Sequence, residues 1–313
     1  MIKRWSLASL AVLLAAGQLS CGHGRAPHHA LALALPTAVP KSKTSHVVTV
    51  VMENREYHDV SGSGQAPYIN RLARRYGLAT ASYGAGHPSL PNYLALTSGS
   101  THGIDSDCTA CHVSGKSIVD QLARAGLTWK AYMEDMPHPC FRGAAAGAYV
   151  KTHDPFMYYH AVAGNPSRCR RVVPLSRLGQ DLRRGRLPTY SFISPNLCDD
   201  MHSCSVATGD RFLARLTPAL LKAVGPKGYV VVTWDEGTSD HGCCGGSRGG
   251  HIATIVAGPL VRSRAREHRP VDHYGVLRTI EDTLGLSHLA GARKAEHGDL
   301  NGLFRHLPSV SRR

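Results

Sequence analysis

The most informative stretch of this sequence for its architecture is residues 45–54, SHVVTVVMEN. Residues 47–51 are all β-branched and show no alternation with polar residues, which is typical of a strand buried on both faces of a parallel sheet. Glu53 and Asn54 follow directly. Because ligands of an open α/β sheet bind beyond the carboxyl ends of its strands, this stretch predicts both a central strand and two candidate functional residues.

Strand and helix patterns alternate along the rest of the chain. Further strands are predicted at 128–134, 188–194, 228–234 and 252–259, and helices at 68–76, 117–127, 174–185, 211–225 and 272–285. Pro218 is expected to kink or divide the fourth of these helices. The alternation predicts an α/β fold with one mostly parallel central sheet and helices on both of its faces.

The N-terminal residues predict export. Two basic residues precede a short apolar run at 7–16, which is typical of a secretory signal peptide and is too short to span a bilayer. The run ends in QLSC at 18–21, close to a bacterial lipoprotein site, although Gln18 stands where such sites usually carry an aliphatic residue. Lipid attachment at Cys21 therefore stays open.

These features divide the chain into three parts. Residues 1–21 are predicted to be the signal peptide, of lipoprotein type if Cys21 is modified. Residues 22–44, rich in Ala, Pro and His, are predicted to be a flexible tether. Residues 45–313 are predicted to form a single domain. We expect a monomeric protein that is secreted or extracytoplasmic.

Composition favours anionic partners. The chain has 36 Lys and Arg against 22 Asp and Glu, a formal charge of +14, which favours phosphate esters and acidic lipid headgroups. Association with a membrane surface, through this charge or a lipid, is therefore open. Only 6% of the residues are aromatic, the basic residues are scattered along the sequence, and no recognition motif is present. We therefore expect no nucleic-acid partner.

Eight cysteines remain beyond Cys21. An even number in an exported protein predicts up to four disulfides. The alternative is a zinc site at Cys108 and Cys111, which have CxxC spacing, with His112 following. Zinc is less favoured because no second pair has similar spacing and Cys243 is adjacent to Cys244.

Oxygen ligands are predicted at the carboxyl edge of the sheet. Asp235 and Glu236 follow the strand at 228–234, as Glu53 and Asn54 follow the first strand. Carboxylate and amide oxygens suit a hard divalent cation such as Ca²⁺, Mg²⁺ or Mn²⁺. The alternative interpretation is that each pair is an ordinary cap or turn.

A serine and several histidines complete the predicted site. Ser89 lies at the expected start of a helix, where it could attack phosphorus as a nucleophile or simply cap the helix. His202 and His251 could neutralise phosphate oxygens. His87 precedes the serine by two residues and either contacts phosphate or holds the turn. With 19 histidines in the chain, each one taken alone is more easily explained as a surface residue.

Four motifs together resemble a known family. HPSLPNYLALTSG, VVMENREY, PNLCDDMH and VVTWDEG, in the segment 45–286, are similar to the bacterial phosphoesterase family of acid phosphatases and phospholipases C. This family belongs to the alkaline phosphatase-like superfamily. The resemblance covers most of the chain and implies an alkaline phosphatase-like fold.

The resemblance assigns roles to individual residues. It implies one divalent metal ion and a nucleophile, Ser89, that also contacts the metal. The other implied metal ligands are Glu53, Asn54, Asp235 and Glu236. The implied phosphate contacts are Asn54, His87, His202 and His251. Asn196 stands where a second metal site would need an aspartate, which favours one metal over two. The resemblance also implies that Cys140 pairs with Cys108 or Cys111.

The implied activity is hydrolysis of phosphate monoesters, as in acid phosphatases, through a phosphoserine intermediate. The expected substrate is a phosphorylated small molecule or a phospholipid headgroup such as a phosphoinositide. One alternative is a phosphodiesterase of the phospholipase C type. The other is a non-catalytic exported protein that holds a structural cation.

Overall fold

A computed structural model describes residues 35–36 and 38–310. The predicted signal peptide, Cys21 and most of the predicted tether lie outside the described residues. Within the part that is described, no helix combines the length and the apolar character needed to cross a bilayer.

Strands and helices alternate as the sequence predicts. The strands are β1 (Val47–Met52), β2 (Gly77–Tyr83), β3 (Trp129–Met133), β4 (Ala145–Ala146), β5 (Tyr149–Val150), β6 (Val172–Pro174), β7 (Tyr190–Ser194), β8 (Tyr229–Trp234), β9 (His251–Ala257), β10 (Arg266–Glu267) and β11 (Val271–Asp272). The α-helices are α1 (Tyr57–Val60), α2 (Pro67–Arg75), α3 (Ser89–Ser98), α4 (Ile118–Arg124), α5 (His160–Ala163), α6 (Pro166–Cys169), α7 (Ser176–Arg183), α8 (Val206–Ala223) and α9 (His273–Leu284). Short 3-10 turns lie at Lys151–His153, Pro155–Met157, Cys244–Gly246, Ala290–Arg293, Ala295–His297 and Asn301–Leu303.

One large sheet organises the molecule. Its strand order is β10-β2-β9-β8-β1-β7-β3-β6, with β11 also paired to β2, while β4 and β5 form a separate hairpin. β1 pairs in parallel with both β7 and β8, so these three strands end at the same edge, which we call the carboxyl edge. We call the opposite edge the amino edge. This arrangement confirms the α/β class and the mostly parallel sheet.

β9 runs antiparallel to both of its neighbours, β8 and β2. The reason is the connection: β8 ends at the carboxyl edge, a loop crosses that edge, and β9 starts there at His251 and runs back. Parallel strands would have required a crossover to the other end of the sheet. The loop at 236–250 therefore lies over the carboxyl edge.

Helices cover both faces of the sheet. On one face α3, α4 and α9 pack over a core that includes Val47 and Val51 of β1. On the other face α2, α7 and α8 pack over Val48 and Val50 of the same strand. Alternate residues of one continuous apolar strand thus enter two separate cores, which explains why the strand shows no polar alternation.

The predicted helix over 211–225 differs from the structure at both ends. A single helix, α8, starts earlier and runs through Pro218 to Ala223, so the proline does not divide it. Its buried residues on both sides of Pro218, such as Leu216 and Leu220, pack against the sheet, and this packing outweighs the lost backbone hydrogen bond. β2 was not predicted from the sequence, because Gly77–Tyr83 contains Gly, Ala and Ser rather than a β-branched run.

All eight cysteines of the described chain pair in four disulfides, which favours the disulfide interpretation over zinc. The pairs are Cys108–Cys111, Cys140–Cys169, Cys198–Cys204 and Cys243–Cys244. The implied pairing of Cys140 with Cys108 or Cys111 is therefore wrong. The Cys140 amide donates to the carbonyl of Val172 in β6, and Cys169 lies just before that strand, so the neighbouring segment supplies the partner.

A buried glutamate far from the carboxyl edge makes folding depend on pH. Glu281 of α9 is fully buried, and one carboxylate oxygen accepts the Leu289 amide at 2.9 Å while the other has no partner among the described residues. Burial raises its pKa to about 8. The folded protein therefore holds this proton more tightly than the unfolded chain, and stability is lost as pH rises from 4.5 through about 8.

We expect Glu281→Gln to remove this dependence, because glutamine keeps the acceptor for the Leu289 amide and carries no charge. The free energy of unfolding of the variant should exceed that of the wild type by about 2 kcal/mol at pH 9 and by little at pH 4. Denaturant unfolding at the two pH values checks this. Glu296→Gln, at a half-exposed surface position, is the control. An equal difference at both pH values would contradict the assignment.

Candidate active site

Three neighbouring strands deliver acidic residues to one point on the carboxyl edge. Glu53 follows β1, Asp235 and Glu236 follow β8, and Asp200 lies in the loop after β7. Backbone bonds extend the strand pairing past the strand ends: the Glu53 amide donates to the Asp200 carbonyl at 2.9 Å, and the Asp235 amide donates to the Met52 carbonyl at 2.9 Å. The four carboxylates therefore lie together, and we call them the carboxylate cluster.

Ser89 is the first residue of α3 and points into this cluster. Its side chain is buried, with 3% of the residue surface exposed. The hydroxyl lies 3.1 Å from Oε2 of Glu53 and 3.5 Å from Oε1 of Glu236, and it donates toward these carboxylates. The structure thus brings together the predicted nucleophile and the predicted metal ligands.

The turn before Ser89 is held by Asn92, three residues further along α3. The Asn92 side chain accepts the amides of Ala85 and Gly86 at 2.8 and 3.0 Å and donates to the carbonyl of Pro88 at 3.0 Å. The amide of Leu90 lies at the start of the helix and has no partner within it, but it already donates to Asp107 at 2.8 Å. The helix start therefore positions the hydroxyl, while the Leu90 amide is not free for an anion.

Gly84 fixes how closely this turn approaches the end of β8. A Cβ at Gly84 would lie 2.5 Å from the carbonyl oxygen of Gly249 and 2.9 Å from that of Asp235, distances that no side chain tolerates. The turn that carries Ser89 can pack against the acidic end of β8 because this position has no side chain.

Asn54 adopts a left-handed backbone conformation, with φ of 36°. Its amide donates to Oδ1 of Asp235 at 3.3 Å, and its side-chain NH₂ donates to Oε1 of Glu236 at 3.2 Å. The side-chain oxygen is buried and has no partner among the described residues. Such a conformation is unfavourable unless its surroundings impose it, and unfavourable conformations of this kind are concentrated at functional sites.

The carboxylate cluster is electrostatically unfavourable without a cation. Burial, together with Asp235 and Asp200, raises the pKa of Glu53 well above its ordinary value. Burial and the nearby charge of Glu236 raise the pKa of Asp235 to about 7. Burial and the nearby charge of Asp107 raise the pKa of Glu236 to about 7. Burial raises the pKa of Asp200 to about 8.

The donor set fits a divalent cation. One oxygen each of Asp200, Asp235 and Asn54 is buried without a hydrogen-bond partner in the part of the chain that the structure describes. Unpartnered buried oxygens that also repel one another are the donors that a hard cation requires. Glu53, Asp200 and a histidine, His153, also place one possible ligand atom each within 4.8 Å of one another.

Sequence reasoning missed His153 and Tyr93, and it assigned no role to Asp200, which lies within the PNLCDDMH motif. Both ring nitrogens of His153 lie 3.4 Å from carboxylates, one from Glu53 and one from Asp200. Its ring stacks on Tyr93, and the Tyr93 hydroxyl donates to Glu53. Tyr93 follows Ser89 by four residues, so helical spacing could have placed both on one face. His153 lies in a long insertion and carries no such signal.

The other predicted histidines lie at different distances from the cluster. His87 bonds Oε2 of Glu236 through Nδ1 at 2.5 Å and is one-third exposed. The ring of His202 lies 6.0 Å from that of His153, and partial burial lowers the pKa of His202. Burial lowers the pKa of His153 to about 4, so this ring is neutral at pH 7.

His251 makes its contacts elsewhere. Its Nε2 bonds the carbonyl of Thr80 at 2.9 Å, and its ring stacks on Tyr57 with centroids 4.5 Å apart. His251 begins β9 across the sheet from Tyr83, so the strand pairing directs it away from β1. Its phosphate-binding role stays a prediction that these contacts do not support.

Asn196 organises a turn. Its side-chain oxygen accepts the amides of Cys198 and Asp199, both at 2.9 Å, and its NH₂ donates to Asp135 at 2.9 Å. Both ends of the amide are therefore used within the loop that carries Asp200 and His202. Asn196 therefore has a structural role in this loop, and the expectation of one metal ion stays a prediction.

The arrangement combines a buried hydroxyl, a carboxylate cluster that favours a bound cation, and histidines beside that cluster. Comparison with known proteins shows the family to which the chain belongs. Residues 63–287 match the phosphoesterase family. The phosphatidylinositol-3-phosphatase of Mycobacterium tuberculosis is 35% identical over 285 residues, covering 89% of this chain and 88% of that protein.

More distant similarities extend the comparison. The phosphate-repressible acid phosphatase of Penicillium chrysogenum is 29% identical over 64% of this chain, but the match spans only 52% of that protein. A crystal structure of an alkaline phosphatase superfamily protein from Vibrio parahaemolyticus superposes with a TM-score of 0.56 at 14% identity, covering 82% of this chain and 72% of that one. The last similarity confirms the alkaline phosphatase-like fold. The chain therefore belongs to the phosphoesterase family and is an enzyme that hydrolyses phosphate esters.

Proposed function

We propose that the chain is a metal-dependent phosphatase that hydrolyses phosphate monoesters through a phosphoserine intermediate on Ser89. The observation that carries this proposal is the position of the Ser89 hydroxyl, buried at the start of α3 and 3.1 Å from Glu53 inside the carboxylate cluster. A serine that only capped its helix would bond backbone amides of the first turn, whereas this hydroxyl bonds two carboxylates from other strands.

One divalent cation would be held by Glu53, Asn54, Asp235 and Glu236, together with the Ser89 oxygen. When bound, it would offset the repulsion among these carboxylates, favour the alkoxide form of serine and polarise the phosphate. The set has only oxygen donors, which suits Mg²⁺, Ca²⁺ or Mn²⁺. The same ion could instead be held by Glu53, His153 and Asp200. In either case we expect one metal ion to bind per protein molecule.

In the first step of this proposal the Ser89 oxygen forms a bond to phosphorus, and its proton passes to Oε2 of Glu53, to which the hydroxyl already donates. The bond between phosphorus and the leaving oxygen breaks, and the alcohol departs with the proton that Glu53 received from Ser89. In the second step the oxygen of a water molecule bonds to phosphorus and the bond from phosphorus to the Ser89 oxygen breaks. Glu53 takes the proton from the water and returns it to the serine oxygen, and inorganic phosphate is released.

Residues at the rim would contact the phosphate. Asn54, His87 and His202 are the proposed contacts of the equatorial oxygens. The side-chain oxygen of Asn54 would contact the cation, and its NH₂ group, now 3.2 Å from Glu236, is the donor available to an anion. His153 is proposed to position Glu53 and Asp200, since it lies between them.

The substrate class follows from the family and from the relatives. One relative is named for phosphatidylinositol 3-phosphate and another is an acid phosphatase, so we propose a phosphorylated lipid headgroup or small molecule as the substrate. Export, predicted from residues 1–21, agrees with the four disulfides, which form and persist in oxidising compartments.

The test compares two chromogenic substrates, p-nitrophenyl phosphate and bis-p-nitrophenyl phosphate, at matched concentrations with Mg²⁺, Ca²⁺ or Mn²⁺ supplied. We expect kcat/KM for the monoester to exceed that for the diester by at least about tenfold, because the diester adds a bulky group where the rim residues would contact phosphate oxygens. Faster hydrolysis of the diester would favour the phospholipase C-type alternative. Tight metal retention without turnover of either ester would favour a non-catalytic binding protein.

A further inference from the structure

A second concave surface lies at the amino edge of the sheet, away from the carboxylate cluster. It is a cleft of about 1150 Å³ between α2, the end of α8 and the segment before β10. Six cationic side chains line it, and none of the residues that the structure describes contributes an acidic side chain to it. We call it the basic cleft, and its cations are Arg71, Arg74, Arg75, Lys222, Arg264 and Arg266.

The cations of the basic cleft are not neutralised by the protein. None of the six forms an ion pair with any residue that the structure describes, although ion pairs occur elsewhere on the surface, such as Lys130 with Asp181. Asp210 lies at the start of α2, but its carboxylate accepts the backbone amides of Tyr68 and Ile69. Repulsion among the six charges is therefore uncompensated, which favours an anionic ligand.

Strand directions place the basic cleft at the end of the sheet opposite to the active site. Arg75 lies two residues before Gly77, where β2 begins, and Arg266 pairs with Leu78 near the beginning of the same strand. Gly77 of β2 pairs with Val256 of β9, which in turn pairs with Val231 of β8, so this level of the sheet lies in the first half of β8. Asp235 follows Val231 by four residues, and at about 3.3 Å per residue this separates that level from the carboxylate cluster by roughly 13 Å along the strand.

The floor of the basic cleft is amphipathic. Tyr68, Leu72 and Tyr76 of the α2 region line it beside the charges. Arg71 stacks over the Tyr68 ring and Arg75 over the Tyr76 ring, with distances of 5.5 and 5.4 Å to the ring centres. Tyrosine rings beside arginines are typical of surfaces that meet the headgroup region of a bilayer.

The polypeptide also enters the domain at this edge. The His46 amide donates to the carbonyl of Val224 at the end of α8, and the Thr44 carbonyl packs against Gly225. A membrane anchor placed upstream in the sequence would therefore connect to the domain on the side that carries the basic cleft.

We propose that the basic cleft binds anionic phospholipid headgroups, so that the amino edge docks on a bilayer and the active site faces away from it. The charges supply the attraction, and the concave floor accepts a headgroup between α2 and α8. Docking of this kind would present the carboxyl edge to substrates in solution or on a second surface. The proposal is independent of the catalytic proposal, because it uses none of the same residues.

The experiment is co-sedimentation of the protein with phosphatidylglycerol-containing vesicles and with neutral phosphatidylcholine vesicles. The test variant is Arg71→Glu/Arg74→Glu/Arg75→Glu. The matched control, Lys116→Glu/Arg142→Glu/Arg170→Glu, changes the net charge equally at exposed positions outside the cleft. Hydrolysis of p-nitrophenyl phosphate by all three proteins reports on folding and on the catalytic proposal separately.

We expect the wild type and the control to bind anionic vesicles, and the test variant to bind at least about tenfold more weakly, with p-nitrophenyl phosphate hydrolysis unchanged. Binding should weaken with added salt. Equal losses in the test and control variants would overturn the proposal, as would equal binding to neutral vesicles, which indicates a lipid anchor. If inorganic tripolyphosphate binds the wild type but not the test variant while vesicles bind neither, the ligand is a soluble polyanion and the bilayer proposal fails.

Discussion

Replacing Ser89 with alanine is expected to lower kcat for p-nitrophenyl phosphate by roughly three to six orders of magnitude, as for other enzymes that lose a nucleophile. The physical reason is that the Ser89 oxygen is the atom that forms the bond to phosphorus in the proposed first step. The hydroxyl lies between Glu53 and Glu236, so its removal leaves the carboxylate cluster and the other proposed metal ligands in place. Folding should therefore be retained, and steady-state kinetics with a thermal unfolding curve checks both points.

The matched control is Ser98→Ala. Ser98 is a buried serine at the other end of the same helix, and its hydroxyl donates to the Leu94 carbonyl at 2.8 Å. This control should keep most of the activity. Acid quenching during turnover should also trap one phosphoryl group on the peptide that contains Ser89. If Ser89→Ala keeps the wild-type rate, the nucleophile is another group and the phosphoserine mechanism is wrong.

Replacing Asp235 with asparagine is expected to lower activity by at least about 100-fold while stabilising the metal-free protein. Asp235 is fully buried, contacts the Asn54 amide through one oxygen, and has no partner for the other among the described residues. Removing its charge relieves repulsion with Glu53 and Glu236, which should add about 1–2 kcal/mol to the free energy of unfolding without metal. Loss of an anionic ligand should at the same time weaken metal binding.

The measurement is thermal unfolding with and without Mn²⁺, beside activity assays. The midpoint for the wild type should rise on adding the metal, whereas that for Asp235→Asn should start higher and rise less. Asp240→Asn, an exposed carboxylate in the following loop, is the control and should behave as the wild type does. Asp235 would be a structural residue and not a ligand if Asp235→Asn were less stable than the wild type without metal and Mn²⁺ stabilised both proteins equally.

The sequence was most informative about the proposed metal ligands. Glu53 and Asn54 follow β1, and Asp235 and Glu236 follow β8, so apolar runs and the polar residues after them were enough to place the four residues at one edge. Ser89 was found because it lies at an expected helix start and within the HPSLPNYLALTSG motif. These signals are local, since each depends on a few consecutive residues.

The sequence could not place His153, His251 or the disulfides. His153 reaches the carboxylate cluster from a long insertion, and there its ring packs against Tyr93, a contact between residues distant in the sequence. His251 was predicted at the site because it starts a strand after the acidic loop, but the antiparallel course of β9 directs it to Thr80 and Tyr57. Cys140 pairs with Cys169 because β3 and β6, which lie beside these cysteines in the sequence, are neighbours in the sheet. This neighbourhood is a tertiary contact.

The basic cleft shows the same division. Its arginines come from α2 and from residues 264–266, nearly 190 positions apart in the sequence, and they appear scattered when the chain is scanned in order. By itself the sequence determined the α/β alternation, the central strand, the common position of the carboxylates that follow β1 and β8, and the family motifs, because local patterns of hydrophobicity and charge encode them. Only the tertiary structure decided which distant groups meet, because burial and strand order, which set those contacts, depend on the whole chain.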